Sequence, residues 1–100
     1  MFTMKLFIIS YDLRNQRDYQ KLYDELNRFK AKPVLESTWC LNLADSNTAK
    51  IVRDHFKQFI DSDDALMVSE VNNWASYNAK NTPNDYNLNW SHSIRVAARL

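Results

Sequence analysis

The chain has 100 residues, of which 45% are hydrophobic and 25% are charged, and its formal net charge is +1. This length allows one domain, and this balance is that of a globular protein rather than a disordered one. Average composition would give about seven glycines, and the sequence has none. The absence of glycine excludes the dinucleotide-binding fingerprint and the P-loop, because both bring backbone close to phosphate at glycine positions.

Cysteine content and charge distribution bound the location and the partners. Cys40 is the only cysteine of the sequence, so no disulfide framework exists and we expect a cytoplasmic protein. No apolar run is long enough to span a membrane, and no secretory leader is predicted. The net charge is +3 over residues 1–32, −4 over residues 33–71 and +2 over residues 72–100. The basic first third is compatible with a phosphate-binding surface, although a solvated helix face explains it slightly better.

The first half of the chain predicts a strand, a helix and two further strands. A strand is expected over residues 4–13, whose centre is an uninterrupted apolar run. A helix is expected from an N-cap at Asp18 to about residue 30, because apolar residues then recur at spacings of three and four. Pro33 ends this helix, and the extended segment 34–43 is interrupted by polar residues, which predicts two short strands joined by a tight turn or bulge.

The second half predicts one more helix and one more core strand. The polar cluster at residues 45–47 indicates a helix start, and residues 65–71 indicate a strand. The resulting order predicts an α+β fold of the ferredoxin-like βαββαβ type, with two helices on one face of a four-stranded antiparallel sheet. The core domain is expected at residues 1–75 and an asparagine-rich tail at residues 76–100. The alternating end of the tail could add a fifth strand to a sheet edge; a short helix or a frayed terminus are the alternatives.

The two faces of the first strand are both apolar. Phe7 and Ile9 point to one face, and Leu6 and Ile8 point to the other. Two helices cover only one face, and a small monomer rarely leaves the other apolar face open. The pattern therefore predicts homodimerisation through the face that the helices leave uncovered.

Several short motifs occur in an order that resembles one protein family. Together they are similar to the CRISPR-associated protein two superfamily, and most closely to its branch of small bacterial proteins labelled SinR-like. The resemblance covers about residues 4–75. The motifs are, in chain order, Tyr11-Asp12-Leu13, Asp18-Tyr19, Ser37-Thr38-Trp39, Asp63-Asp64 and the late Trp74.

The resemblance implies a homodimer in which two copies of Asp12 face each other and share a divalent ion, Mg²⁺ or Mn²⁺. Family members are described as metal-dependent nucleases, and the CRISPR member as a scaffold that holds DNA. Asp12 is therefore the candidate catalytic and metal-binding residue, since such ions prefer oxygen ligands. The alternative is that Asp12 only caps the turn that follows the strand.

Arg14, Arg17 and Lys21 follow the first strand and are candidates for binding the phosphates of DNA or RNA. A solvated loop and helix surface is the alternative for these three residues.

Tyr11, Ser37 and Thr38 are candidate supporting residues. Ser37 and Thr38 approach Asp12 if the strand order is 4-1-3-2, which places the third strand beside the first. The alternatives are a core position for Tyr11 and an ordinary strand junction for the other two.

Other reactive side chains favour structural roles. Cys40 is predicted to be a buried inert thiol, and His55 a boundary residue of the second helix. The acidic residues 61–64 could bind calcium, but a solvated turn that ends the helix explains them better.

Two classes of function remain. The leading hypothesis is a small homodimer that handles nucleic acid, as a metal-dependent endonuclease or endoribonuclease. The rival is a non-catalytic interaction module, such as an antitoxin-like subunit or adaptor that binds a protein partner, and the near-neutral charge favours it. A dimer with a regulatory small-ligand site is a third option without a specific signal.

Overall fold

The chain folds into four antiparallel strands with two helices packed on one side of the sheet. The computed structural model describes residues 3–14 and 19–82. In these residues the elements are β1 (Met4–Asp12), α1 (Gln20–Arg28), β2 (Lys32–Leu35), β3 (Thr38–Ala44), α2 (Ala49–Phe56), a 3₁₀ turn (Lys57–Phe59) and β4 (Ala65–Val71). The strand order is β2-β3-β1-β4. The predicted ferredoxin-like α+β arrangement and its strand order are confirmed.

Strand β1 lies at the centre of the sheet and pairs antiparallel with β3 on one side and β4 on the other. Ser10 lies opposite Thr38, the first residue of β3. Asp12, the last residue of β1, lies opposite Ala65, the first residue of β4. The carboxyl end of β1 therefore meets the starting points of both neighbouring strands.

The core lies between the sheet and the helices, as the apolar patterns predicted. Phe7 and Ile9 of β1 are completely buried on this side. Each helix contributes an apolar stripe spaced at three or four residues, which is the spacing of one helix face. The fully buried helix residues are Leu22 and Leu26 of α1 and Val52 and Phe56 of α2.

The helix starts differ in how they are capped. The Thr48 hydroxyl accepts a hydrogen bond from the Ile51 backbone N–H at 3.2 Å, so Thr48 is the N-cap of α2. Asn47, inside the predicted start cluster, is instead buried and donates to the Ala44 carbonyl at 3.0 Å. Helix α1 begins at Gln20, and its predicted cap, Asp18, lies outside the described residues.

The face of the sheet opposite the helices is more covered than its apolar pattern predicted. Cys40 and Asn42 of β3 lie on this face by register with β1, and both are buried. Leu6 and Ile8 are half-buried. Met67 of β4 lies opposite Ser10 on the same face and is 65% exposed. Met67 is thus an exposed large apolar side chain on this face of the described strands.

The segment after β4 reaches the opposite edge of the sheet. Strand β4 forms one edge of the sheet and β2 forms the other. The Lys80 backbone N–H donates to the Val34 carbonyl at 2.8 Å, and the Asn81 amide donates to the Pro33 carbonyl at 2.9 Å. Residues 72–79 therefore connect the β4 edge of the sheet to its β2 edge. The predicted fifth strand falls in residues outside the described part of the chain.

Burial in the core sets a first prediction. Replacing the fully buried Leu26 with alanine should lower the free energy of unfolding by about 2–5 kcal/mol, through lost apolar burial and a cavity. The matched control is Leu35→Ala, because Leu35 is 51% exposed; it should change stability by less than about 1 kcal/mol. Urea unfolding followed by tryptophan fluorescence measures both. Equal losses in the two variants would contradict this assignment of the core.

Candidate nucleic-acid interface

Asp12 ends the central strand with its carboxylate in solvent. Its side chain is 69% exposed, and its Oδ2 accepts from Arg14 Nε at 3.3 Å. The sequence places the two residues just where β1 stops pairing. An exposed carboxylate–guanidinium pair contributes little to stability, because water solvates both partners well. Both side chains can therefore exchange this contact for a phosphate or a metal ion at small cost.

Two hydroxyl groups lie on the same face as Asp12. Ser10 Oγ and Thr38 Oγ1 are 3.2 Å apart, and the Tyr11 backbone N–H donates to the Ser37 carbonyl at 3.1 Å. The strand order thus brings Ser37 and Thr38 to the end of β1, as expected. The partner of the Thr38 hydroxyl is Ser10 rather than Asp12, and Ser10 was not among the predicted site residues. These contacts fit a strand junction beside the candidate site.

Tyr11 belongs to an aromatic group on the helix side of the sheet. Its hydroxyl accepts from Trp39 Nε1 at 3.2 Å, and its ring centroid is 6.4 Å from that of Tyr23. Burial raises the pKa of the Tyr11 phenol above its ordinary value, although the hydrogen bond from Trp39 acts against this. Neighbouring strand residues point to opposite faces. The Tyr11 ring therefore packs in the core, while Asp12 faces the other side.

Arg14 and Lys21, two of the predicted phosphate-binding residues, lie on either side of the connection between β1 and α1. Arg14 lies beside Asp12 and is largely exposed. Lys21, in the first turn of α1, borders a shallow cleft of about 400 Å³ that is also lined by Gln58 and Asp61. Arg17 lies outside the described residues. Arg14 thus contacts Asp12, whereas Lys21 lines the cleft beside Gln58 and Asp61; their roles in binding phosphate stay predictions.

The carboxylate of Asp64 accepts three hydrogen bonds in this region, and the sequence did not predict this role. Its Oδ1 accepts from the Arg14 backbone N–H and from the Tyr19 hydroxyl, each at 2.9 Å. Its Oδ2 accepts from the Asp61 backbone N–H at 2.9 Å. Partial desolvation works to raise the pKa of Asp64, but these three donors outweigh it and lower that pKa. The sequence predicted only a solvated turn here. The local signal for a hydrogen bond within this turn is the spacing of Asp61 and Asp64 across it.

The acidic residues of one chain supply few free metal ligands. Carboxylate oxygen suits Mg²⁺ or Mn²⁺, and Asp12 offers it in an exposed position. Asp64 has both oxygens engaged by hydrogen-bond donors. Within residues 3–14 and 19–82, no group of three or more His, Cys, Asp or Glu residues is arranged to hold a metal ion. An ion at Asp12 therefore needs further ligands from a second chain, a phosphate or water.

The comparison with protein families covers this whole region. The family model for CRISPR associated protein Cas2 matches residues 4–79, from the first strand to the segment beyond β4. The chain belongs to the Cas2 family. No solved structure matches the chain. Assignment to the SinR-like branch remains a prediction.

The Cas2 match includes every predicted site residue: Tyr11, Asp12, Arg14, Arg17, Lys21, Ser37 and Thr38. It also includes Asp64 and the segment that follows β4. In the described part of this Cas2 protein, no helix is long and apolar enough to cross a membrane. The predicted cytoplasmic location stays a prediction.

A second ionic cluster joins the two helices away from Asp12. The Arg28 guanidinium donates to both oxygens of the Glu25 carboxylate, at 2.8 and 2.7 Å, and His55 Nε2 lies 2.5 Å from Glu25 Oε2. The hydrogen bonds from Arg28 are the main reason that the pKa of Glu25 falls from 4.5 to about 2, with His55 adding to the effect. The ionised carboxylate can only accept, so His55 Nε2 is the donor. The His55 ring also lies edge-on to Phe29, and His55 is thus the predicted helix-boundary residue.

The cluster gives a stability prediction with a defined pH dependence. Folding lowers the pKa of Glu25. The ionised carboxylate therefore stabilises the folded protein fully at pH values above the ordinary pKa of glutamate, and this stabilisation is lost as the pH falls towards about 2. Glu25→Gln should lower the free energy of unfolding at pH 7 by about 1–3 kcal/mol. The gap between this variant and the parent should shrink below pH 4.5.

Urea unfolding at several pH values measures this gap. The control is Glu36→Gln, a matched change at an exposed turn, which should leave stability nearly unchanged throughout. A constant gap between pH 7 and pH 3 would contradict the role assigned to Glu25.

Proposed function

We propose that this Cas2-family protein acts as a homodimer that binds nucleic acid at the Asp12 end of β1 and hydrolyses its phosphodiester bonds with Mg²⁺ or Mn²⁺. The observation that carries the proposal is the exposed Asp12 carboxylate at the end of the central strand, whose partner within the described residues is Arg14 at 3.3 Å. An unshielded carboxylate beside a guanidinium offers one group to a cation and one to a phosphate.

The exposed apolar surface supports a dimer that brings two such ends together. Met67, with 65% of its surface exposed, lies opposite Ser10 and two pairs along the ladder from Asp12 and Ala65, on the same face as Asp12. A twofold axis near Met67 buries this side chain against its own copy. The same axis places the two Asp12 carboxylates next to each other at the interface.

The residues at this end have separate parts in the proposed reaction. The two Asp12 carboxylates hold the ion, and Arg14 exchanges its contact with Asp12 for a phosphate oxygen. Lys21 binds the nucleic-acid backbone further along α1. When bound, the divalent ion polarises a phosphate oxygen and lowers the pKa of a water ligand. Ser10 and Thr38 keep the ends of β1 and β3 paired through their hydroxyl contact.

Asp12→Asn tests the catalytic part. The substitution keeps the shape of the side chain but removes the charge, so Mn²⁺-dependent cleavage of RNA and DNA substrates should fall by about 100-fold or more. Asp24→Asn is the matched control, because Asp24 is an exposed acid on α1 that contacts Gln20. Cleavage that survives either Asp12→Asn or a chelator would refute the metal-dependent mechanism.

Met67→Glu tests the dimer. A charge at the proposed twofold contact should convert the dimer to a monomer in light scattering after size exclusion, and cleavage should be lost with it. Ile51→Glu introduces the same charge at an exposed apolar residue of α2 and should leave the dimer intact. A dimer that persists in Met67→Glu would place the interface elsewhere.

The charge pattern of α2 favours a second candidate, a non-catalytic interaction module. Lys50, Arg53 and Lys57 all pair with Asp54, and hydrogen bonds from Arg53 and Lys50 lower the pKa of that carboxyl to about 2. Because these cations are paired with Asp54, the uncompensated positive charge on this surface is small. Proteins that hold nucleic acid usually carry a large basic surface. This candidate predicts that Asp12→Asn has no effect on binding of the partner.

A further inference from the structure

We propose that Asp64 is a positioning residue that fixes Arg14, and with it the Asp12–Arg14 pair, at the end of β1. The inference rests on the proposed function for its consequence in nucleic-acid binding. Its structural basis is independent of that function, since it consists of three hydrogen bonds to one carboxylate.

Asp64 holds both sides of the connection between β1 and α1. Arg14, two residues after the end of β1, donates its backbone N–H to Oδ1 at 2.9 Å. Tyr19, immediately before α1, donates its hydroxyl to the same oxygen at 2.9 Å. One oxygen atom therefore fixes the points at which the chain leaves the strand and enters the helix.

The carboxylate is itself held in place from its own side. The Asp61 backbone N–H donates to Oδ2 at 2.9 Å, and the Asp64 backbone N–H returns a bond to the Asp61 carbonyl at 3.0 Å. The next residue, Ala65, begins β4 opposite Asp12. Asp64 is thus fixed by a closed turn behind it and by the strand ladder in front of it.

These contacts decide what Arg14 can do. With its backbone held, the Arg14 side chain reaches back to Asp12, and the guanidinium stands 3.3 Å from Asp12 Oδ2. An exposed ion pair alone does not hold a loop in one conformation, so the carboxylate of Asp64 supplies the ordering. Because both its oxygens accept bonds from the protein, Asp64 acts on the site through Arg14 rather than as a ligand.

The first arm of the test is structural. Amide hydrogen exchange followed by NMR should show that the Arg14 amide is protected in the parent protein. In Asp64→Ala it should exchange at least about tenfold faster, because it loses its acceptor. The amides of Phe7 and Ile9 in the core should keep their protection. An Arg14 amide that exchanges equally fast in both proteins would overturn the proposal.

The second arm asks whether the Arg14 side chain depends on Asp64. Binding of a single-stranded RNA and of a duplex DNA is measured for Arg14→Ala, Asp64→Ala and the double variant. Each single variant should weaken binding by about tenfold. The double variant should be no weaker than either one, because Asp64→Ala already removes the benefit of Arg14. Independent, multiplying losses would show that Asp64 acts only on stability and would overturn the positioning role.

Milder variants cover the case in which Asp64→Ala does not fold. Asp64→Asn keeps one carbonyl oxygen as acceptor, and Tyr19→Phe removes a single donor, so both should give intermediate exchange of the Arg14 amide. Asp24→Asn is the control for loss of charge and should match the parent. If the parent binds no nucleic acid, the proposed function fails, and the exchange arm still decides whether Asp64 holds Arg14.

Discussion

The pairing of β1 with two neighbours is the constraint on which the rest of the structure depends. This strand contributes the fully buried Phe7 and Ile9 to the core on one face and takes part in two of the three ladders of the sheet. Its carboxyl end is therefore held between two neighbouring strands. Asp12 stands at that end, where the chain turns outward and the strand ladder stops. A functional group placed there has a rigid support and an open environment, which is the combination that a reactive site requires.

Glu25, Asp64 and Asp12 have three different roles, and each role follows from the surroundings of the carboxylate. Glu25 is buried between the helices and receives Arg28 and His55, so its charge stabilises the packing of α1 on α2. Asp64 receives N–H and O–H donors from three segments and organises the loops at one end of the sheet. Asp12 is exposed to solvent and pairs with Arg14 among the described residues. Its carboxylate is therefore accessible to a ligand, and Asp64 holds the backbone of its partner Arg14.

The sequence predicted the fold well because each element carries a local signal. The stripe through Leu22 and Leu26 and the run from Leu6 to Ile9 follow from periodicity alone, and the strand order follows from the ferredoxin-like plan. The hydrogen bonds of Asp64 join residues far apart in sequence, so no local pattern shows them. The contact of the late segment with β2 was missed for a similar reason: the asparagine-rich segment after β4 has the composition of a linker, yet its backbone bonds to β2 at Val34.

The central claim is that two chains join their Asp12 carboxylates around one divalent ion. Titration of the protein with Mn²⁺, with free ion measured by electron paramagnetic resonance, tests this most directly. We expect saturation at one ion for every two chains, and loss of that binding in Asp12→Asn while Asp24→Asn binds normally. Saturation at one ion per chain, or binding that is unchanged in Asp12→Asn, would contradict it.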